Sequence, residues 1–272
     1  LENKNYICIY VGDFDNSSWL YRYMPSYMSD PHLGDVPVMW PTIGGSYKRV
    51  PMVYEMMYNA VGANAPGDVF VTANNGYTYT YVNYLLDMEG EDSKGNFKRF
   101  SDTTKKYAEI FDTDVMGSFF GSWLPLMPDT PGTTKKIFDM FNEIYPSGVF
   151  IGQNKYYYYN YNGTPIQAQD PFTGQNMFYQ NGNGLFNTTS VLTRSLKTDS
   201  ERPTFQCLRV ILVSPTAVYN FSEKLKTYTD YEFEIVDCYT YFKLYKDYMD
   251  ECKKGDDGAY GSNRLSQQSW VN

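Results

Sequence analysis

Short, continuous apolar runs alternate along the chain with longer segments in which apolar residues recur every three or four positions. The clearest runs are Tyr6–Val11, Asp68–Ala73, Gly148–Gly152 and Thr204–Val213. Continuous β-branched runs of this length are typical of strands buried on both faces, whereas the spacing of three or four is typical of amphipathic helices. The alternation predicts strand–helix units and therefore a mostly parallel sheet.

Weaker patterns complete this series of elements. Further strands are predicted at Val36–Ile43, Val115–Phe120, Pro165–Asp170 and Glu232–Val236. Helices are predicted at Val50–Val61, Ser101–Phe111, Thr133–Tyr145, Leu185–Ser195, Ala217–Thr227 and Tyr241–Lys253. Between the fifth and sixth strands no crossover helix fits, and Asn162-Gly163 indicates a hairpin turn instead.

These elements predict an α/β fold, a distorted TIM-like (β/α) barrel with seven or eight mostly parallel strands and a hairpin interruption near residues 150–170. The barrel domain covers residues 1–254, and residues 255–272 form a polar tail. A doubly wound open sheet is the competing fold. Its glycine-rich phosphate-binding fingerprint is missing, because acids follow Gly12 at the end of the first strand.

Composition narrows the classes of function. The net charge of −8 argues against nucleic acid, which requires a basic surface, and against an anionic membrane or a polyanionic substrate. No segment predicts membrane insertion. Cys8 and Cys207 fall inside predicted strands and are expected to be buried free thiols, and the single His32 cannot anchor a histidine metal cluster.

The 28 tyrosines either reflect a biased composition or line a ligand cleft, since tyrosine offers a flat apolar face and a polar tip. In β/α barrels the site lies at the carboxyl ends of the strands. Polar and aromatic residues recur there, and the following are candidates for binding a substrate: Asn16, Trp40, Asn74, Asn75, Tyr77, Tyr79, Trp123, Asn154 and Arg202. Packing in the barrel is the alternative role for both tryptophans, and an ion pair with a neighbouring acid is the alternative for the arginine.

Asp13 and Asp15, which follow the first strand, are the candidate catalytic pair, with Asp170 as a partner across the cleft. Two such carboxylates can divide the roles of general acid and nucleophile or base. Alternatively they hold Ca²⁺ or Mg²⁺ through oxygen ligands, or Asp15 or Asn16 simply caps the next helix. For Asp170 the alternative is a turn formed by the Asp-Pro pair.

Four segments resemble the GxGYxYP putative glycoside hydrolase family. They are the signature-like stretch from Asp68 to Thr80, the Gly12–Asn16 segment, Val36–Trp40 and Arg202–Phe205, which occur in the family's order over most of the chain. Asn74 stands at the first glycine of the signature, Thr80 at its proline, and Phe14 inside the family's Asp-Gly-Asp.

The resemblance implies a TIM-barrel-like C-terminal domain, usually preceded by a separate N-terminal domain, in proteins of sugar processing in gut and soil bacteria. It therefore implies a carbohydrate ligand and a secreted, periplasmic or cell-surface location. Three hypotheses follow. The first is a glycoside hydrolase, and the second is a non-catalytic carbohydrate-binding module or pseudo-enzyme on the same fold. The third is a metal-dependent deacetylase, which the sequence disfavours because such enzymes usually need several histidine ligands and this chain has one histidine.

Overall fold

The computed structural model describes residues 1–12, 14, 16–73, 75–87, 89–119, 131–152, 160–168 and 203–255. The strands are β1 Asn5–Gly12, β2 Met39–Thr42, β3 Val69–Thr72, β4 Val115–Phe119, β5 Gly148–Gly152, β6 Asn160–Tyr161, β7 Thr164–Ala168, β8 Thr204–Ile211 and β9 Phe233–Ile235. The helices are α1 Ser17–Tyr27, α2 Gly44–Tyr47, α3 Pro51–Asn64, α4 Asn96–Phe111, α5 Pro131–Ile144, α6 Pro215–Leu225 and α7 Cys238–Gly255, and Val82–Leu85 forms a 3₁₀ turn.

The strands form one sheet in the order β6-β7-β5-β4-β3-β2-β1-β8. Every pair is parallel except β6 with β7, which are joined by the two-residue Asn162-Gly163 turn. Both turn residues have positive φ angles, of 51° and 101°, as a tight hairpin requires. The short strand β9 pairs with the first half of β1, on the edge that β2 occupies further along.

The sheet curves into a nearly closed barrel, as the sequence predicted. Tyr10 on β1 shows the curvature, because its ring reaches two strands on the far side of the interior. A Cβ atom at Gly117 of β4 would lie 2.7 Å from this ring, and the ring centroid of Phe150 of β5 is 6.2 Å away. The whole of β1 is buried, which explains its continuous apolar sequence.

Helix α7 packs against both edge strands of the sheet. Phe205 of β8 contacts the rings of Tyr241 and Tyr245 at centroid distances of 5.8 and 5.4 Å. Lys246 donates a 3.1 Å hydrogen bond to the carbonyl of Gly163 in the β6–β7 turn. The helix therefore covers the gap between β7 and β8, which do not pair within the described part of the chain.

The structure confirms most predicted elements to within a few residues. The predicted second strand is shortened to β2 because Pro37 has no N–H to donate, and the next N–H, that of Val38, donates to the Asp68 carboxylate at 3.0 Å. Cys8 and Cys207 are buried free thiols on neighbouring strands, as predicted. The predicted helix at residues 185–195 and the polar tail lie outside the described residues, apart from the end of α7.

Candidate functional site

A polar cleft lies at the carboxyl ends of the first three strands, and we call it the upper cleft. Its volume is about 420 Å³, within the range of small-molecule sites. Residues that follow β1, β2 and β3 line it together: Asn16, Ser17, Gly45, Ser46, Arg49, Tyr77 and Thr78. The predicted meeting of the segment after the first strand with the segment after the third is therefore present in the described residues.

The segment after β1 is fixed by a buried ring and a helix cap. Phe14 is fully buried and packs edge-on against Tyr27 of α1, at a centroid distance of 6.4 Å. The bulky residue inside the Asp-Phe-Asp segment thus has a pocket of its own. Asn16 caps α1, accepting hydrogen bonds from the backbone N–H and the hydroxyl of Ser18 at 2.9 and 2.8 Å. The capping role considered for this residue is therefore real, and the same residue also lines the cleft.

The segment after β2 forms a single helical turn, α2, that is tied to the segment after β3. The N–H of Gly45 donates a 2.8 Å hydrogen bond to the carbonyl of Tyr77. At Gly44 a Cβ atom would lie 2.4 Å from the ring of Tyr107 on α4, so only glycine permits this approach. Two glycines thus let the α2 backbone form one wall of the cleft.

The segment after β3 is a strained turn held on α4. Asn75 is buried, has a φ angle of 73°, and donates from Nδ2 to the carbonyl of Thr80 at 2.7 Å. Gly76 has a φ angle of 126°, and a Cβ there would lie 2.7 Å from Thr104. The N–H of Tyr77 donates to the hydroxyl of Thr104 at 3.0 Å, which fixes its half-buried ring at the cleft.

The structure separates the remaining described candidates from the upper cleft. Trp40 lies in the core, where its ring is buried and its indole N–H donates to Asp68 at 2.7 Å. Stacking on a sugar requires an exposed ring face, so this placement fits the alternative of barrel packing. Tyr79 is exposed and lies beside Tyr81, at a centroid distance of 6.2 Å, outside the lining of the cleft. Among the described lining residues Tyr77 is the one aromatic side chain.

Seven predicted site residues lie outside the described residues, and their roles stay predictions: Asp13, Asp15, Asn74, Trp123, Asn154, Asp170 and Arg202. Sequence reasoning missed Gly45, Ser46 and Arg49, which come from α2 and the residues after it. A four-residue helical turn has no periodicity to detect. The signal available was its position, since a Gly-Gly pair directly follows a strand.

A second cleft of about 420 Å³, the lower cleft, lies at the opposite end, where β4 and β5 begin. There Asp114 accepts hydrogen bonds from the hydroxyls of Ser147 and Tyr239, the latter at 2.6 Å. Burial and the nearby Asp114 raise the pKa of Tyr239 above its usual range. Lys105 and Glu143 form an ion pair at 2.7 Å. Asp114, Lys105 and Glu143 of the lower cleft thus have protein partners, whereas the carboxylates of Glu109 and Asp112 form no ion pair with the described residues.

Asp68, the residue directly before β3, lies in the core. Its carboxylate accepts hydrogen bonds from the Val38 N–H and the Trp40 indole. Burial raises its pKa to about 6, while these two hydrogen bonds act in the opposite direction. Within the described ranges no group of three or more His, Cys, Asp or Glu residues could hold a metal ion. No helix in those ranges is long and apolar enough to span a membrane.

Comparison with known proteins identifies the family. Residues 3–246 match the model of the GxGYxYP putative glycoside hydrolase C-terminal domain. The chain belongs to this family. No curated protein sequence matches the chain. The family resemblance inferred from the four segments is thereby confirmed.

Solved structures that are similar to this family member are distant from it in sequence. A putative polysaccharide deacetylase from Mycobacterium smegmatis has a TM-score of 0.57 at 11% identity, with 91% of this chain and 92% of that chain covered. A 4-alpha-glucanotransferase from Thermococcus litoralis has a TM-score of 0.49 at 11% identity, and the match covers 89% of this chain and 40% of that chain. At 11% identity, the likeness to the deacetylase supports the barrel fold and gives no information on function.

Proposed function

We propose that this domain is a glycoside hydrolase that binds its glycan in the upper cleft. The observation that carries the proposal is the meeting of the segments after β1 and β3 in one polar cleft of about 420 Å³. A hydrolase of this kind needs carboxylates beside a cleft that binds hydroxyl groups, and the family membership gives the expected class of substrate.

The sequence ties all three proposed carboxylates to this end of the barrel. Asp13 is bonded to Gly12, the last residue of β1, and Asp15 is bonded to Asn16, which lines the cleft. Asp170 follows Ala168, the last residue of β7, by two positions. Strands β1 and β7 belong to the parallel part of the sheet, so their carboxyl ends point the same way.

In the proposed reaction, one carboxylic acid protonates the glycosidic oxygen as the bond to the anomeric carbon breaks. In the covalent route a carboxylate attacks that carbon, and water, deprotonated by the first residue, then hydrolyses the glycosyl ester and frees the carboxylate. In the other route the carboxylate deprotonates a water that attacks the carbon directly. A separation of about 5 Å between the two carboxyl groups favours the covalent route, and about 6.5–9.5 Å leaves room for the water. The Tyr77 ring and the hydroxyls of Ser17 and Thr78 would contact the sugar, through its C–H face and its hydroxyls.

The test is the release of reducing sugar from a panel of polysaccharides and oligosaccharides, with single substitutions Asp13→Asn, Asp15→Asn and Asp170→Asn. We expect turnover by the unmodified protein and a loss of about 10² to 10⁴-fold in kcat for the variants that remove the acid or the nucleophile. Asp114→Asn in the lower cleft is the matched control and should retain activity.

Two results would contradict the proposal. Glycan binding that survives combined replacement of Asp13 and Asp15, with no turnover before or after, would indicate a non-catalytic binding module. Stoichiometric Ca²⁺ or Mg²⁺ binding that is lost with the same replacement, again without turnover, would assign the carboxylates to a structural cation.

A further inference from the structure

Arg49 introduces a positive charge into the upper cleft of a strongly acidic chain. It follows α2 by two residues, its side chain is exposed, and it lines the cleft with Asn16 and Tyr77. Within the described ranges its guanidinium forms no ion pair or hydrogen bond. A guanidinium held at the wall of a cleft, with all five N–H donors available, is suited to a planar anion.

The other described polar groups of the cleft also favour an acceptor ligand. The Oδ1 atom of Asn16 already accepts two hydrogen bonds from Ser18, so its amide is left as a donor. The hydroxyls of Ser17 and Thr78 make no hydrogen bond with the described residues and can donate.

We propose that Arg49 binds the carboxylate of an acidic sugar, so that the substrate is a glycan containing a uronic acid. This inference rests on the proposed function of the same cleft. A sugar carboxylate matches the guanidinium fork with two parallel hydrogen bonds. The net charge of −8 disfavours long polyanions, and it is compatible with a single acidic residue bound next to one arginine.

The test is a binding titration with matched pairs of methyl glycosides, glucuronide against glucoside and galacturonide against galactoside, in 50 mM salt. For at least one pair we expect the unmodified protein to bind the acidic sugar about tenfold more tightly. Arg49→Gln should remove this preference, so that the acidic and the neutral sugar of a pair bind equally. Arg49→Lys should keep part of the preference, because it retains the charge without the planar fork.

Two control variants separate a direct contact from the general field of the protein. Lys48→Gln removes a neighbouring charge that does not line the cleft, and Arg22→Gln removes an arginine of α1 that lies over the Tyr23 ring at 5.3 Å. Both should keep the tenfold preference. A preference that survives Arg49→Gln, or its absence from the unmodified protein for every pair, would overturn the inference.

The outcomes also distinguish this inference from the proposed function. Hydrolysis of neutral glycans without any preference for acidic sugars would refute the role of Arg49 and leave the hydrolase intact. A preference for acidic sugars that depends on Arg49, without turnover of any glycan, would support the acidic subsite and refute the hydrolase. Failure of every sugar to bind would contradict both.

Discussion

The upper and lower clefts have the same volume of about 420 Å³, but their polar groups are used differently. In the lower cleft, Asp114 is bound by Ser147 and Tyr239, and Lys105 is paired with Glu143. In the upper cleft, a guanidinium and two hydroxyls have no partner within the described part of the chain. The groups that remain free also differ in charge, since the upper cleft has the guanidinium of Arg49 and the lower cleft has the carboxylates of Glu109 and Asp112. The upper cleft is therefore the better candidate for a ligand that carries acceptor oxygens.

Both ends contain a residue other than glycine with a positive φ angle, and at the lower cleft this residue is Asp112, which ends α4 with a φ of 50°. The upper cleft differs in having two successive residues with positive φ angles. The upper cleft is bordered by a turn in which Asn75 and Gly76 have φ angles of 73° and 126°. The turn is kept in place by Thr104, which accepts a hydrogen bond from the Tyr77 N–H. Strained backbone supported by neighbouring elements is common at functional sites. The following substitutions test this contrast.

The largest effect on stability is expected for Gly76→Ala. The alanine would have to keep the positive φ angle of 126°, and its Cβ would lie 2.7 Å from Thr104. We therefore expect a loss of about 4 kcal/mol in the free energy of unfolding. Gly163→Ala is the control, since its φ is also positive, at 101°, with no atom within 4 Å of the new Cβ. It should cost about 1 kcal/mol in urea denaturation. Equal losses would show that Thr104 does not restrain the turn.

The second effect is a dependence of stability on pH that originates at Asp68. Its pKa of about 6 in the folded protein exceeds the unfolded value near 3.8, so folding favours the protonated form. Its stabilising contribution is full below about pH 4 and is lost as the pH rises through 6, by up to about 3 kcal/mol. Urea denaturation from pH 4 to 7 should show the stability cost of Asp68→Asn shrinking by this amount. A cost that is constant or grows with pH would contradict the raised pKa.

A smaller effect is expected for Thr104→Val, which keeps the shape of the side chain and removes the acceptor of the Tyr77 N–H. Leaving this N–H without its partner should cost about 1 to 2 kcal/mol and weaken glycan binding. Thr103→Val, at the half-buried residue before Thr104, removes only a hydrogen bond to the Arg99 carbonyl at the helix surface. It should change stability by less than about 0.5 kcal/mol and leave binding unchanged. Weakened binding in both variants would indicate that the substitutions destabilise the whole of α4 rather than the turn alone.

The smallest effect is expected for Asp114→Asn in the lower cleft. One oxygen acceptor is replaced by an amide, so about 1 kcal/mol should be lost from the free energy of unfolding. Hydrolysis and glycan binding should be unchanged, because the group is at the opposite end of the barrel. A loss of activity with unchanged stability would move the site to the lower cleft.

The sequence predicts those parts of the fold that depend on local pattern. The buried run of β1, the strand β5 and the Asn162-Gly163 hairpin were each recognisable, because burial on both faces and a tight turn restrict the residues allowed. The pairing of β9 with the first half of β1 was not predictable, since it depends on contacts more than 200 residues apart. The partner of Trp40 was not predictable either, because the pairing of β2 with β3 brings Asp68, the residue before β3, to the indole from 28 residues along the chain.

In the candidate site, too, the residues that follow predicted strands could be found from the sequence, and those placed by tertiary contacts could not. Asn16, Asn75 and Tyr77 follow strands whose ends were predicted, and the structure brings Asn16 and Tyr77 into one cleft. Arg49 escaped detection because α2 is a single turn held by the Gly45 N–H and by the contact of Gly44 with Tyr107, both of which are tertiary.

The most direct test of the upper cleft is a crystal structure of the chain soaked with the methyl glycosides used above. The account predicts a sugar between the segments that follow β1 and β3, in contact with Asn16 and Tyr77, with the carboxylate of an acidic sugar on Arg49. A sugar bound only beside Asp114 and Tyr239 in the lower cleft would contradict it.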